Sequence, residues 1–297
     1  MRRPAPYHRL LPTGVPISLL HRADLRATGA TGRQITDAVR DGRLLRLRRD
    51  RYLPAGAHPT VCAAARWGGR VDCVSVLQLF GVFVRETGSL HVQMAPDASR
   101  VPRPDDAAQV IRHWRTSRAA ADATLAPLDE ALLAAVRCQR PRDAIATLDS
   151  AWHLGVVDEA RLNELFARLP RRYRSLRRLL DRRAESGTET LVRLMLRAIG
   201  CGIELQVSID GVGRVDLLVD AWLLIECDSE AHHGTWQDHK RDRRRDAAAV
   251  ALGYTPLRLL AEDILYRPEW VADLLRRTIA TGPAGRRAFG SPEKRAR

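Results

Sequence analysis

The sequence predicts a mixed α/β chain, with a helix-rich N-terminal part and a C-terminal mixed sheet flanked by helices. Three observations carry that expectation. A capped, apolar-striped helix after Thr31 runs directly into a basic hairpin between Arg43 and Leu53. Three strand-like runs follow one another between Leu205 and Asp228, with turn signals between them. Helical runs with an apolar stripe lie outside those strands, at Leu191 to Ile199 and at Val271 to Ile279.

At 297 residues the chain is longer than one small core organises, so two or three units are expected. No run approaches the ~20 apolar residues that a membrane span requires. The apolar stretch from Val15 to Leu20 is too short and broken for a secretion signal, so the reading is a cytoplasmic protein without a membrane partner. The formal net charge of +14 points to a polyanionic partner, and nucleic acid is the commonest one. A genome that favours Arg over Lys would explain which cation is used, but not the excess of cations over acids. The cysteines Cys62, Cys73, Cys138, Cys201 and Cys227 are widely spaced, with no C-x-x-C pair. Neither a zinc ribbon nor a disulfide framework is expected; buried thiols in a reducing compartment are.

Residues 1–57 read as a DNA-binding segment. Ile17 to Leu20, with Leu25, reads as a short helix, and Thr28 to Ala30 as a turn. Thr31-Gly32-Arg33-Gln34 is a capping box, in which hydroxyl and amide side chains satisfy backbone N–H groups reciprocally. Ile35, Ala38 and Val39 form the apolar stripe, and Gly42 ends the helix. The following run, Arg43 to Leu53, reads as two short strands around a charged turn. Helix, turn, capped helix and basic hairpin is the order of a winged helix-turn-helix. Arg33, Gln34 and Asp37 would face base edges, and Arg46, Arg48, Arg49 and Arg51 would reach phosphate. The plainer alternative is a solvated basic face on a small packing module.

Residues 58–170 read as a mixed α/β connector. Leu90 to Met94 and Val110 to Trp114 are strand-like, and helices are expected near 128–138, 141–155 and 158–169. No catalytic constellation is expected there, and His91 and His113 read as structural. Residues 171–185 open with a basic run, Arg171 to Leu180, expected as a linker helix with either a solvated or a phosphate-tracking face.

Residues 186–280 carry the chemistry. Glu189 opens a helix whose inward face includes Leu191, Val192, Met195 and Ile199. Leu205 to Ile209, Arg214 to Val219 and Trp222 to Asp228 are strands. The third is apolar until its end, as a central strand buried on both faces would be. Glu226 and Asp228 alternate onto one side of it, with Asp216 on the neighbouring strand. Clustered carboxylates repel, and a divalent cation is the usual remedy. Asp238, Asp242 and Asp246 are expected to pair with Arg241 and Arg245 along a helix face. Pro256 marks the next strand as an edge. Residues 281–297 read as a disordered basic tail.

Glu189, then Val215-Asp216, then Glu226-Cys227-Asp228, resembles the PD-(D/E)XK nuclease superfamily. The run Ile225 to His233, followed by Asp242 to Asp246, Gly253-Tyr254 and Leu257-Arg258, is similar more narrowly to an uncharacterised domain family related to very-short-patch-repair endonucleases. Residues 1–57 resemble the winged-helix domain of AbiEi-type antitoxins of type IV toxin–antitoxin systems. These resemblances imply an α/β fold with an all-α, winged-helix N-terminal part and a restriction-endonuclease-like C-terminal sheet. They imply DNA phosphodiester hydrolysis with Mg²⁺ or Mn²⁺ held by Asp216 and Glu226, and Glu189 as an outer partner. His233, or His232, would assist proton transfer. Asp228 stands where the motif has lysine, and Lys240 or His233 would have to replace it.

The rival is an antitoxin-like regulator that binds operator DNA, keeps the nuclease fold as a scaffold and has a cognate toxin or other protein partner; an RNA-acting nuclease is a third reading. The nuclease reading, built on these two ligands, stands or falls on one condition: Asp216 and Glu226 must be close enough to share an ion, with neither buried against an arginine.

Overall fold

The computed structural model describes residues 14–99, 101, 109–228 and 236–282. They form two compact units that divide between Gly187 and Thr188. The segments read as 1–57, 58–170 and 171–185 all belong to the first. Mixed α/β architecture is present in both units.

The first unit begins with β1 (Leu20–His21), α1 (Arg22–Ala27), α2 (Gly32–Arg40), β2 (Leu44–Arg48) and β3 (Arg51–Pro54). The strands form an antiparallel sheet in the order β1-β3-β2. The capping box at Thr31 forms: its N–H donates to Gln34 Oε1 at 2.7 Å, and the Gln34 N–H donates to Thr31 Oγ1 at 3.2 Å. Ile35 and Ala38 are the buried stripe of α2, and Gly42 takes φ 71°, which suits a residue without Cβ. The helix expected from Ile17 begins only at Arg22. Upstream, the Leu19 N–H donates to Asp122 O at 2.8 Å and the Thr124 N–H to Ile17 O at 3.1 Å. These long-range bonds draw the backbone into extended pairing, and tertiary context overrides the local apolar run.

The rest of the unit comprises α3 (Pro59–Arg66), β4 (Arg70–Val71), α4 (Cys73–Leu79), β5 (Ser89–Met94) and β6 (Gln109–Trp114), followed by α5 (Leu128–Cys138), α6 (Pro141–His153), α7 (Glu159–Arg168) and α8 (Arg171–Arg174). Strands β4, β5 and β6 form a second small sheet, with β5 and β6 parallel. The basic linker is a single helical turn, α8, that tightens into a 3-10 turn at Ser175–Leu179. Its guanidinium groups bond outward: Arg174 Nε donates to Leu169 O and Arg177 Nη2 to Glu159.

The second unit is organised around a mixed four-stranded sheet. Its elements are α9 (Gly187–Ile199), β7 (Ile203–Ile209), β8 (Gly213–Val219), β9 (Leu223–Asp228), α10 (Trp236–Ala251), β10 (Thr255–Leu260), α11 (Ala261–Tyr266) and α12 (Pro268–Ala280). The order is β10-β9-β8-β7, with β7, β8 and β9 antiparallel and β10 parallel to β9. Strand β9 is thus central, and Leu223, Leu224 and Ile225 are buried on both of its faces. Strand β10, which carries Pro256, is an edge. One face packs Val215, Leu218 and Leu224 against Ala248 and Ala249 of α10. No helix among the described residues is long and apolar enough to cross a membrane.

Leu217 is 0% exposed in the middle of β8. Leu217→Ala should destabilise the second unit by about 2–5 kcal/mol through lost burial and the cavity left behind. Thr31→Ala, which removes only a cap, should cost the first unit about 1 kcal/mol. Urea denaturation of both variants checks the difference.

Candidate metal centre and nucleic-acid interface

The sheet of the second unit opens where its acids begin. Strands β8 and β9 pair from Val219↔Leu223 to Leu217↔Ile225, and their ladder stops short of Asp216 and Glu226. The Cys227 N–H left without a strand partner donates to Asp216 Oδ2 at 2.8 Å. On the other side of β8 the ladder with β7 skips the position where Gln206 faces Asp216, although the register is the same before and after it. Gln206 has φ 55°, an uncommon conformation for a side-chain-bearing residue and one that concentrates at functional sites. Its amide Nε2 donates to Glu189 Oε2 at 2.9 Å and approaches Asp216 Oδ1 at 3.4 Å. The amide therefore links the carboxylates of α9 and β8. Its own oxygen, Gln206 Oε1, is buried without a hydrogen-bond partner. The nitrogen now lies between the carboxylates; turning the amide over would put the orphaned oxygen there, a donor set suited to a hard divalent cation.

Glu226 is placed differently from the expectation. Its Oε1 accepts from Arg245 Nη2 at 3.0 Å, and its side chain is only 16% exposed. Arg245 is itself anchored, with Nε donating to Val212 O at 3.0 Å and Nη2 also to Arg214 O. The condition set on the metal reading fails for Glu226, and a site built on Asp216 and Glu226 as its two open ligands falls with it. Even so, the arginine does not fully compensate the carboxylate. Burial, then the nearby Asp216, push the Glu226 carboxyl up to about 7, against the opposing pull of Arg245 and Arg258. The Cys227 thiol is raised well above its usual value by burial, and Asp216, Glu189, Glu226 and Asp228 all add to the rise. The four acids therefore share one electrostatic neighbourhood.

Asp228 is held by Arg258, whose Nη1 lies 3.2 and 3.3 Å from its two oxygens. Arg258 reaches Asp246 on α10 as well, at 3.1 Å. Two members of the expected salt-bridged face of α10 turn inward instead: Arg245 goes to Glu226, and Asp246 goes to Arg258. Lys240 is exposed on α10, with its ammonium 5.4 Å from the centre of the Trp236 ring. His232, His233 and the side chain of Asp238 lie outside the described residues, as do residues 283–297 of the expected tail.

In the first unit the β2–β3 hairpin carries Arg46, Arg48, Arg49 and Arg51. Arg48 lies directly opposite Arg51 in register. Burial, and then the Arg51 charge, lower the Arg48 pKa, and Arg48 Nε is buried without a partner. Like charges set face to face cost energy that an anion would relieve. Arg46 and Arg49 are exposed, Arg49 with Asp50 at 3.8 Å. Arg33 and Gln34 are exposed at the start of α2, but Gln34 Oε1 is engaged in the cap, and Asp37 pairs with Arg40 at 3.0 Å. A further open cavity of about 830 Å³ is lined by Arg112, Arg137 and Arg172 among others.

Among the described residues, one set of three or more Cys, His, Asp and Glu side chains brings all its donor atoms within 4.8 Å of one another: Cys73, His91, His113 and Cys138. Glu189, Asp216 and Glu226 do not form such a set. The sequence reading missed this group because its members come from four separate elements with no short spacing. No protein-family model matches the sequence, and no curated protein matches it.

The raised Glu226 pKa fixes a pH dependence. From 4.5 to about 7 the folded chain holds a proton that the unfolded chain has released, so the stability this proton confers is complete at low pH and lost as pH rises through 7. Glu226→Gln keeps the uncharged shape. In EDTA it should match the parent near pH 4.5 and exceed it by about 2 kcal/mol at pH 8. Urea midpoints at the two pH values measure this, and an equal effect at both would contradict it.

Proposed function

We propose that this chain is a DNA-binding protein whose C-terminal unit is an endonuclease-like hydrolase of phosphodiester bonds. On this reading α1, α2 and the β2–β3 hairpin act as a winged helix-turn-helix of the AbiEi-antitoxin type, and the second unit is a restriction-endonuclease-like domain related to very-short-patch-repair enzymes. The observation that carries the catalytic part is the Gln206 amide set between Glu189 and Asp216, with its own oxygen buried and orphaned. A hard cation such as Mg²⁺ or Mn²⁺, held by oxygens of Glu189, Gln206 and Asp216, would neutralise phosphate charge and make a bound water more acidic. Glu226, titrating near neutrality, is suited to hold or release a proton at its carboxyl. Arg245 fixes that carboxyl in position. Arg46, Arg48, Arg49 and Arg51 would supply phosphate contacts.

A second reading has its own support. Glu226 and Asp228 already hold Arg245 and Arg258, and the Lys240 ammonium lies over the Trp236 ring. That favours an antitoxin-like transcriptional regulator with an inactive nuclease fold and a protein partner such as a toxin. The two readings separate on supercoiled plasmid with Mg²⁺ or Mn²⁺. The enzyme reading expects nicking that Asp216→Ala abolishes and Glu226→Gln slows by about 10²–10⁴-fold. Intact plasmid in every reaction, together with tight promoter binding, would select the regulator.

Either reading requires the hairpin to meet phosphate. Replacing both Arg48 and Arg49 by Ala should reduce the slope of log affinity against log salt by about 2. An unchanged slope would remove the hairpin from the interface.

A further inference from the structure

The first unit gathers four soft ligands that nothing in the proposed nuclease chemistry uses. Cys73 opens α4, His91 lies on β5, His113 on the adjacent parallel strand β6, and Cys138 ends α5. His91 Nδ1 and His113 Nε2 are 3.0 Å apart, and their rings stack with centroids 5.3 Å apart. Cys138 Sγ lies 3.8 Å from His91 Nδ1. A tetrahedral zinc ion with its usual bond lengths sets ligand edges of about 3.3 Å between nitrogens, about 3.5 Å between nitrogen and sulfur, and about 3.8 Å between sulfurs. The observed separations fall close to those edges.

The surroundings hold the four in place. Cys73 is fully buried and sits at φ 53°, a left-handed conformation that a side-chain-bearing residue keeps only where its environment imposes it. The His91 N–H donates to Ser75 Oγ at 3.0 Å, which fastens β5 to α4 beside the cluster. Asp72, just before Cys73, is buried and paired with Arg115 at 2.7 Å. Two thiolates and two neutral imidazoles balance a divalent charge and fill four positions, the pattern of a structural rather than a catalytic centre. Thiolate with imidazole also selects zinc-class ions over the oxygen-seeking Mg²⁺.

We infer that Cys73, His91, His113 and Cys138 form a zinc site that ties α4, β5, β6 and α5 together. This site is separate in chemistry and in residues from the acidic edge of the second unit, and it does not depend on the nuclease reading.

The full-length chain, purified under reducing conditions and reconstituted with Zn²⁺, should carry about one zinc per chain. Titration with Co²⁺ should give the intense visible bands of tetrahedral cobalt and near-ultraviolet thiolate-to-cobalt charge transfer. Cys138→Ser replaces the exposed ligand at a helix end, where the fold tolerates change. It should weaken binding by at least about 10-fold and reduce the charge-transfer band. Stripping zinc from the unaltered chain with a chelator should lower its Tm, a readout that does not depend on a variant folding. The inference is overturned if the reduced chain takes up no zinc or cobalt. It is equally overturned if Cys138→Ser leaves the cobalt spectrum unchanged, or if mass spectrometry finds Cys73 and Cys138 in a disulfide that reduction does not convert to a metal-binding form.

Discussion

The acidic edge of the second unit depends on one replacement in its sheet: a carboxylate takes the place of a backbone carbonyl. Where β8 and β9 stop pairing, Asp216 accepts the Cys227 N–H that a continuing ladder would have used. This lets two neighbouring strands part without leaving a buried donor unsatisfied, which would cost about 1–3 kcal/mol. At that point Gln206 reaches both Glu189 and Asp216. An apolar residue at 216 would leave that donor unpaired and remove one of the two carboxylates that the Gln206 amide meets.

Arginines set the electrostatic character of the same edge. Arg245 spans the β7–β8 hairpin and Glu226, and Arg258 bridges β9 and α10 through Asp228 and Asp246. They neutralise much of the acidic charge from within the fold. The carboxyl that stays poised near neutrality is the one closest to Asp216 in register, so what remains after internal pairing is local and specific. In the first unit the balance is reversed: Arg48 and Arg51 face each other across the hairpin.

Features governed by local pattern could be read from the sequence. The capping box at Thr31, the central position of apolar β9 and the edge position of β10 each follow from a short run of residues. So does the adjacency of Asp216 to the strand bearing Glu226. Features created by distant convergence could not be read. Gln206 looks like an ordinary polar position in an alternating strand, yet its backbone is turned and its amide bridges two acids. Arg245 belongs to a helix with alternating charges whose spacing suits pairing within the helix; only the sheet beneath draws it inward. Cys73, His91, His113 and Cys138 are single residues on four elements, and parallel pairing of β5 with β6 is needed to bring even the two histidines together. The linker helix breaks because its arginines find carbonyl and carboxylate partners outside the helix.

Pro256 has a consequence beyond marking an edge. The N–H of its predecessor, Thr255, points to Trp222 O, so the nitrogen of Pro256 faces away from β9 toward the open side of the sheet. A proline nitrogen carries no hydrogen, which breaks the row of donors that an incoming strand would need. At the opposite margin the turned backbone of Gln206 disrupts β7 in a similar way. Both rims are poor templates for a foreign strand, so a four-stranded sheet with an apolar centre is guarded against growing into a fibre.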